Sequence, residues 1–171
     1  PILHDRADLL HYDEHFFQAY SAINELMADA VARIAQPDAL IWIHDYHFFM
    51  LGDCLRRRGI DNPIGFFLHT PFPTASVLGC MPQHQAVMKS LAAYDLVGFQ
   101  TGSDLLRFRD YAMTELSATL NGPTSLRFGK NRVQIGVFPI GINVDRFAEA
   151  AERNNKTRRL NRMRQDLHDG G

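Results

Sequence analysis

The sequence predicts an α/β fold, a Rossmann-like parallel sheet with helices on both faces, and three observations carry that expectation. A short apolar run is followed by a helical stretch three times in succession: 39–43 then 47–58, 64–68 then 83–94, and 95–99 then 103 toward 120. Parallel neighbours need a long crossover between them, so strand-then-helix repetition builds parallel sheets. Each apolar run is continuous in Ile, Val, Leu and Phe rather than alternating, as expected of strands covered on both faces. Finally, 171 residues with 46% hydrophobic and 22% charged side chains match one globular domain with a sizeable core.

Ahead of the first unit, Phe16, Tyr20, Ile23, Met27, Ala30 and Ile34 recur at steps of four and three. That spacing predicts one apolar face of a long helix, entered at Asp13 as N-cap and ended before Pro37. Residues 39–43 form the first strand, and the helix after it stops at Gly59, which tolerates a left-handed C-terminal backbone. The second strand, 64–68, runs into a proline-rich turn, and the third, 95–99, into the helix that starts at Ser103. Residues 121–131 carry Gly, Pro and Ser and read as a loop. One more strand follows, ending at Pro139 with Gly141 in the turn behind it. Residues 144–171 read as helix, interrupted or exposed at 153–159. No repeat of fixed period and no low-complexity segment is present.

A formal net charge of -1, with Arg56 to Arg58 as the longest basic run, leaves no electrostatic footprint for nucleic acid or an anionic membrane. The arginine triplet fits a helix C-terminal cluster instead. No apolar run is long enough to cross a bilayer, and the first residues lack the order of a signal peptide, so a soluble, cytoplasmic protein is expected. Cys54 and Cys80 each lie among apolar neighbours and are expected to be buried, reduced thiols.

In open parallel sheets ligands bind beyond the carboxyl ends of the strands, where loops diverge. The first strand runs out into His44, Asp45, Tyr46 and His47, the second into His69, Thr70 and the "PFPT" turn, the third into Gln100, Thr101 and Ser103, and the last into Gly141 and Asn143. Asp45 is therefore either a helix cap or a carboxylate that accepts hydrogen bonds from substrate hydroxyls. His69 is either a satisfied core histidine or a donor to a sugar hydroxyl or developing charge. Tyr46 is expected to pack, with its hydroxyl at a pocket edge. His44 and His47 bracket a carboxylate, but their spacing of three at a strand exit is not that of a helical zinc site, so no metal is assigned. Nucleophile elbows and phosphate or dinucleotide loops are absent from the sequence, and no cofactor is assigned.

The runs "IWIHDYH", "IGFFLHTPFPT", "YDLVGFQT" and "FPIGINVDRF", in this order, resemble the trehalose-6-phosphate synthase family of retaining glycosyltransferases over nearly the whole chain. The start, "LHDRADLLHY", resembles the segment before that family's long helix, with Asp5 where a tyrosine is common. The resemblance implies one half of a two-domain glycosyltransferase B-type fold that transfers glucose from UDP-glucose to glucose 6-phosphate in trehalose biosynthesis. It implies that Asp45 holds the acceptor sugar with Tyr46 beside it, that His69 contacts the transferred glucose near the reacting centre, and that Thr70 joins the substrate site. No metal or cofactor is implied, the leaving phosphate itself helping to deprotonate the incoming hydroxyl. Partners are then a sugar phosphate and a nucleotide sugar.

Three features depart from that pattern: the chain stops at "DLHDGG", the basic residues that grip the donor diphosphate have no counterpart, and the N-terminal loop and aromatics that seat the acceptor phosphate are missing. The expectation is a partial acceptor-side domain over residues 1–171, inactive as an isolated chain, whose exposed apolar rim favours self-association as a homo-oligomer. Three other readings stay open: a synthase using another phosphorylated acceptor, such as a glucosylglycerol-phosphate synthase, a noncatalytic binding or regulatory module, and a metal-dependent hydrolase on the histidine-rich rim.

Overall fold

The structure, a computed structural model, describes residues 2–4, 6–154 and 162, in two compact units, 1–139 and 140–171. In the first unit α1 (Glu14–Ile34) starts where expected, with the Asp13 carboxylate accepting from the His15 amide at 2.8 Å. Its apolar face, however, is not the expected one. Phe16, Ile23, Met27 and Ile34 are 61%, 53%, 37% and 74% exposed, while Phe17, Tyr20, Asn24, Ala28 and Val31 turn inward. The helix is rotated because Tyr20 and Asn24 have backbone partners to meet in the core, and hydrogen bonds that cannot be made to water outweigh the exposure of these four apolar side chains.

The strands are β1 (Ile41–His44), β2 (Ile64–Leu68), β3 (Leu96–Phe99), β4 (Thr119–Leu120), β5 (Ser125–Phe128) and β6 (Asn131–Val137), in the order β1-β2-β3-β6-β5-β4. The α/β class holds, but the sheet is mixed: β1, β2, β3 and β6 are parallel, while β4 and β5 add an antiparallel edge. The stretch 121–131 expected as a loop therefore contains a strand. Gly129, at φ 58°, sits in the two-residue turn between paired Phe128 and Asn131, the left-handed conformation a tight hairpin requires.

The helix expected over 47–58 breaks into a 3-10 turn, Tyr46–Phe48, and α2 (Leu51–Arg57), with Gly59 beyond it at φ 75°. A short α3 (Ala75–Leu78) precedes α4 (His84–Lys89), which ends in a 3-10 turn at Ser90–Ala93. Then α5 (Gly102–Glu115) stops short of residue 120.

Because the parallel strands are laid down in sequential order, right-handed crossovers place their connecting helices on one face of the sheet. There Ile43, Phe66, Val97 and Ile135 stand side by side and form one core with Leu55 of α2, Met88 of α4 and Phe108 of α5. Of the helices expected on both faces, the crossover helices within residues 1–139 lie on this one. The other face carries Trp42, Phe67 and Phe138, whose rings lie over glycines: a Cβ at Gly65 would stand 2.2 Å from the Trp42 ring, and one at Gly136 2.7 Å from Phe138.

The arginine triplet lies at the C-terminal end of α2 and ties that end to its surroundings. Arg57 and Arg58 hold Glu25 of α1 at 2.6 and 2.7 Å, Arg58 also reaches Asp29 at 2.7 Å, and Arg56 reaches Asp95 at 2.8 Å. Both cysteines are free; Cys54 is buried, and burial pushes its thiol up to about 11. Cys80 is exposed, against expectation, because it follows the short α3 in a surface turn rather than entering a second core helix.

In the second unit α6 (Val144–Asn154) is capped by Asn143, whose Oδ1 accepts from the Arg146 amide at 2.9 Å. The rest of the expected C-terminal helix, the stretch 155–159 and Asp5 lie outside the described residues. Among the described residues no helix is long and apolar enough to cross a membrane.

The arginine pair holds the Glu25 carboxyl down from its ordinary 4.5 to about 2. A depressed carboxylate stabilises the fold above its unfolded-state value and loses that contribution as the pH falls through its folded-state value. The thermal midpoint of the native chain should therefore exceed that of Glu25→Gln at pH 6, and the gap should close between about pH 4.5 and about pH 2. A gap that persists at pH 2 contradicts the ion pairing.

Candidate active site

The parallel register brings the strand ends level. His44 pairs with Phe67 and Leu68 with Phe99, so Asp45 and His69 emerge at the same edge of the sheet. Asp45 donates its amide to the Phe67 carbonyl at 2.8 Å, extending the β1–β2 ladder by one bond. Its backbone then turns sharply, to φ 70° and ψ 166°, a region almost confined to glycine.

Asp45 stands at the N-cap position of the Tyr46–Phe48 turn, yet its side chain caps nothing, and its Oδ1 is enclosed without a hydrogen-bond partner. A capping role is thus ruled out by geometry. A strained residue with an unmet buried acceptor costs stability, and such sites concentrate where function demands them.

The turn is held in place by side chains from elsewhere in the fold. The Tyr20 hydroxyl donates to the Tyr46 carbonyl at 2.7 Å and accepts from the Phe49 amide at 3.2 Å, and Asn24 donates to the His47 carbonyl at 3.1 Å. Tyr94 donates to the Phe48 carbonyl at 2.7 Å and accepts from Gly52, while Ser90 donates to the Phe49 carbonyl at 2.8 Å. Burial pushes the phenols of Tyr20 and Tyr94 well up, so both stay neutral donors. Of these four residues the sequence singles out only Tyr20, and that as part of an apolar helix face; Asn24, a polar residue on the inner face of a helix, was the available signal.

His69 is exposed, which removes the core-histidine reading. Its Nε2 lies 2.9 Å from Nδ1 of His44, and the two rings stack with centroids 5.2 Å apart, one nitrogen donating and the other accepting. His44 thereby joins the site. Thr70 Oγ1 is enclosed without a partner, like Asp45 Oδ1. The following Phe72 is pinned by α5: its amide donates to Asp104 at 3.0 Å and its carbonyl accepts from Arg107 at 3.2 Å. Tyr46 is half-buried, stacked on His47, with its hydroxyl 3.3 Å from Nε2 of His4, in keeping with its expected place at a pocket edge.

Two other residues expected on the rim serve as helix caps instead. The Thr101 hydroxyl is committed to Asp104 at 2.6 Å as the cap of α5, and Asn143 is the cap of α6. Among the described residues no group of three or more His, Cys, Asp or Glu is placed to hold a metal ion. What remains is a carboxylate, a hydroxyl and an imidazole pair at one strand edge, a set of acceptors and donors suited to a ligand rich in hydroxyl groups.

Two substitutions separate strain from support. Asp45→Gly removes both the backbone strain and the unmet carboxylate oxygen, and urea unfolding should show it more stable than the native chain by about 1–2 kcal/mol. Tyr20→Phe orphans the Tyr46 carbonyl and the Phe49 amide and should lower stability by about 1–3 kcal/mol. A destabilised Asp45→Gly chain would mean that the carboxylate is structural.

Comparison with known proteins places this geometry in a family. Residues 1–170 match Glycosyltransferase family 20. A trehalose-6-phosphate synthase of Citrobacter koseri is 38% identical over 151 residues, 88% of this chain and 32% of that protein. The crystal structure of an alpha,alpha-trehalose-phosphate synthase (UDP-forming) from Burkholderia vietnamiensis superposes with a TM-score of 0.90 at 37% identity, over 98% of this chain and 36% of that one. A Burkholderia xenovorans counterpart, solved in complex with glucose-6-phosphate, gives 0.89 at 36% identity, over 98% and 38%. The chain thus spans about a third of the length of the relatives it matches. With all but its final residue matched, and its strand-end motifs gathered on one edge of a Rossmann-like sheet, the chain belongs to Glycosyltransferase family 20.

Proposed function

We propose that this chain is the acceptor-side part of a retaining glycosyltransferase that moves glucose from UDP-glucose to glucose 6-phosphate and so forms trehalose 6-phosphate. The observation that carries this reading is Asp45, held in a glycine-like backbone with an enclosed, unpartnered carboxylate oxygen. Such an oxygen accepts a hydrogen bond from an acceptor hydroxyl at little reorganisation cost, because the strain is already stored in the free protein. Support comes also from the relatives, named as UDP-forming synthases, one of them solved with glucose-6-phosphate.

In this reading Thr70 and Tyr46 border the sugars, and His69, oriented by His44, faces the glucose being transferred. The acceptor hydroxyl bonds to the anomeric carbon on the face from which the diphosphate departs, and its proton passes to a diphosphate oxygen. No side chain then needs to act as nucleophile. Catalysis rests on holding two sugars in register and on neutralising the leaving diphosphate. The cations for that second task have no counterpart in the matched motifs, so residues 1–171 act as a partial domain that binds acceptor without turnover. A cytoplasmic setting fits the two free thiols, one of them exposed.

An NMR titration of the 15N-labelled chain tests this. Glucose 6-phosphate should shift the amides of Asp45 and Thr70, glycerol 3-phosphate should not, and Asp45→Ala should weaken the response about tenfold or more, the worth of a lost charge-assisted hydrogen bond. Equal responses to both phosphates, or a response that survives Asp45→Ala, overturn the assignment.

A further inference from the structure

Between the N-terminal arm, the first turns of α1 and the α3–α4 segment lies a cavity of about 360 Å³ that the proposed reaction does not use. Its walls are formed mainly by Ile2, Leu10, Phe17, Leu78, Met81 and Met88, and Tyr46 and Phe49 line it as well. The volume is that of a small-molecule pocket, and apolar walls with few polar groups are what such pockets have.

One polar group stands out. Gln83 lines the cavity; its Nε2 donates to the Tyr12 hydroxyl, and its Oε1 is enclosed with no hydrogen-bond partner. Of the other polar groups of the wall, Asp13 caps α1, Tyr20 bridges Tyr46 and Phe49, the Tyr46 hydroxyl meets His4, and the His11 ring packs edge-on against Phe16. A buried amide oxygen without a donor costs free energy that a ligand N–H or O–H recovers on binding.

We infer that this cavity is a binding site for a neutral, largely apolar small molecule carrying one hydrogen-bond donor, which buries its rings or chain against Phe17, Leu78 and Met88 and donates to Gln83 Oε1. A charged ligand is disfavoured, because most of the wall is apolar and its one carboxylate, Asp13, is already engaged with the His15 amide and ring, leaving little to offset the desolvation of a charge. A purely apolar ligand leaves the amide oxygen unmet. Tyr46 is common to this cavity and to the strand-end site, so the two share a wall while the cavity itself stands independently of the proposed transferase reaction.

N-phenyl-1-naphthylamine is the probe: uncharged, apolar apart from one N–H, and fluorescent when withdrawn from water. The 171-residue chain should bind it saturably, one per chain. Leu78→Trp fills the cavity and should abolish the signal while circular dichroism stays native; should that buried site not tolerate Trp, Met81→Trp at the half-buried wall serves the same purpose. Gln83→Leu should weaken binding about tenfold, the loss of one buried hydrogen bond. Phe138→Ser, on the opposite face of the sheet, should leave binding unchanged. Absence of saturable binding, binding untouched by both tryptophan variants, binding unchanged in Gln83→Leu, or binding lost in Phe138→Ser each overturns the inference.

Discussion

The arrangement turns on how one exposed strand edge is made to bend. After β1 the chain leaves the ladder at Asp45 in a conformation that L-residues avoid, and the carbonyls of the next four residues point toward the core, where water cannot serve them. Such a turn persists only when its backbone groups find partners inside the protein. Tyr20 and Asn24 from α1, with Ser90 and Tyr94 from the segment before β3, provide them. Those bonds set the rotation of α1, place Tyr94 beneath α2, and keep the Asp45 carboxylate where a helix cap would never leave it.

The second half of the rim is built on the same logic from the other side. The proline-flanked turn after β2 has its Phe72 backbone locked by Asp104 and Arg107 of α5, so His69 and Thr70 are fixed by a helix that follows the next strand. His69 then leans on His44, and the two strand ends become one unit. Neither carboxylate nor imidazole contributes to the core. Their positions are maintained by residues that do, a division suited to chemistry that depends on orientation more than on a reactive side chain.

Much of the fold was legible because parallel strands and their crossover helices leave local marks. The runs at 64–68 and 95–99 are apolar without alternation, Asp13 and Gly59 stand at helix ends for reasons of capping and backbone freedom, and the arginine triplet sits where a helix dipole favours it. The β4–β5 edge was hidden because a two-residue and a four-residue strand offer too little pattern to oppose a Gly, Pro and Ser signal. His44, Asp45, Tyr46, His69 and Thr70 were legible as a rim by the rule that strand ends converge, and by motif resemblance; the supporting work of Tyr20, Asn24, Ser90 and Tyr94 was not, since it is done by contacts between 23 and 46 residues apart.

Local sequence thus settled where the parallel strands and the helices between them fall and which polar residues follow each strand, because capping, turn chemistry and apolar periodicity act over a few neighbours. It left open the helix face turned inward: both the 16-20-23-27 series and the 17-20-24-28 series have helical spacing, and only the carbonyls waiting across the core select the second. It left open likewise whether Asp45 would cap or stand unpaired. That was decided by the Phe67 carbonyl on one side and two tyrosine hydroxyls on the other, which together force a backbone angle that Asp45 by itself would not adopt.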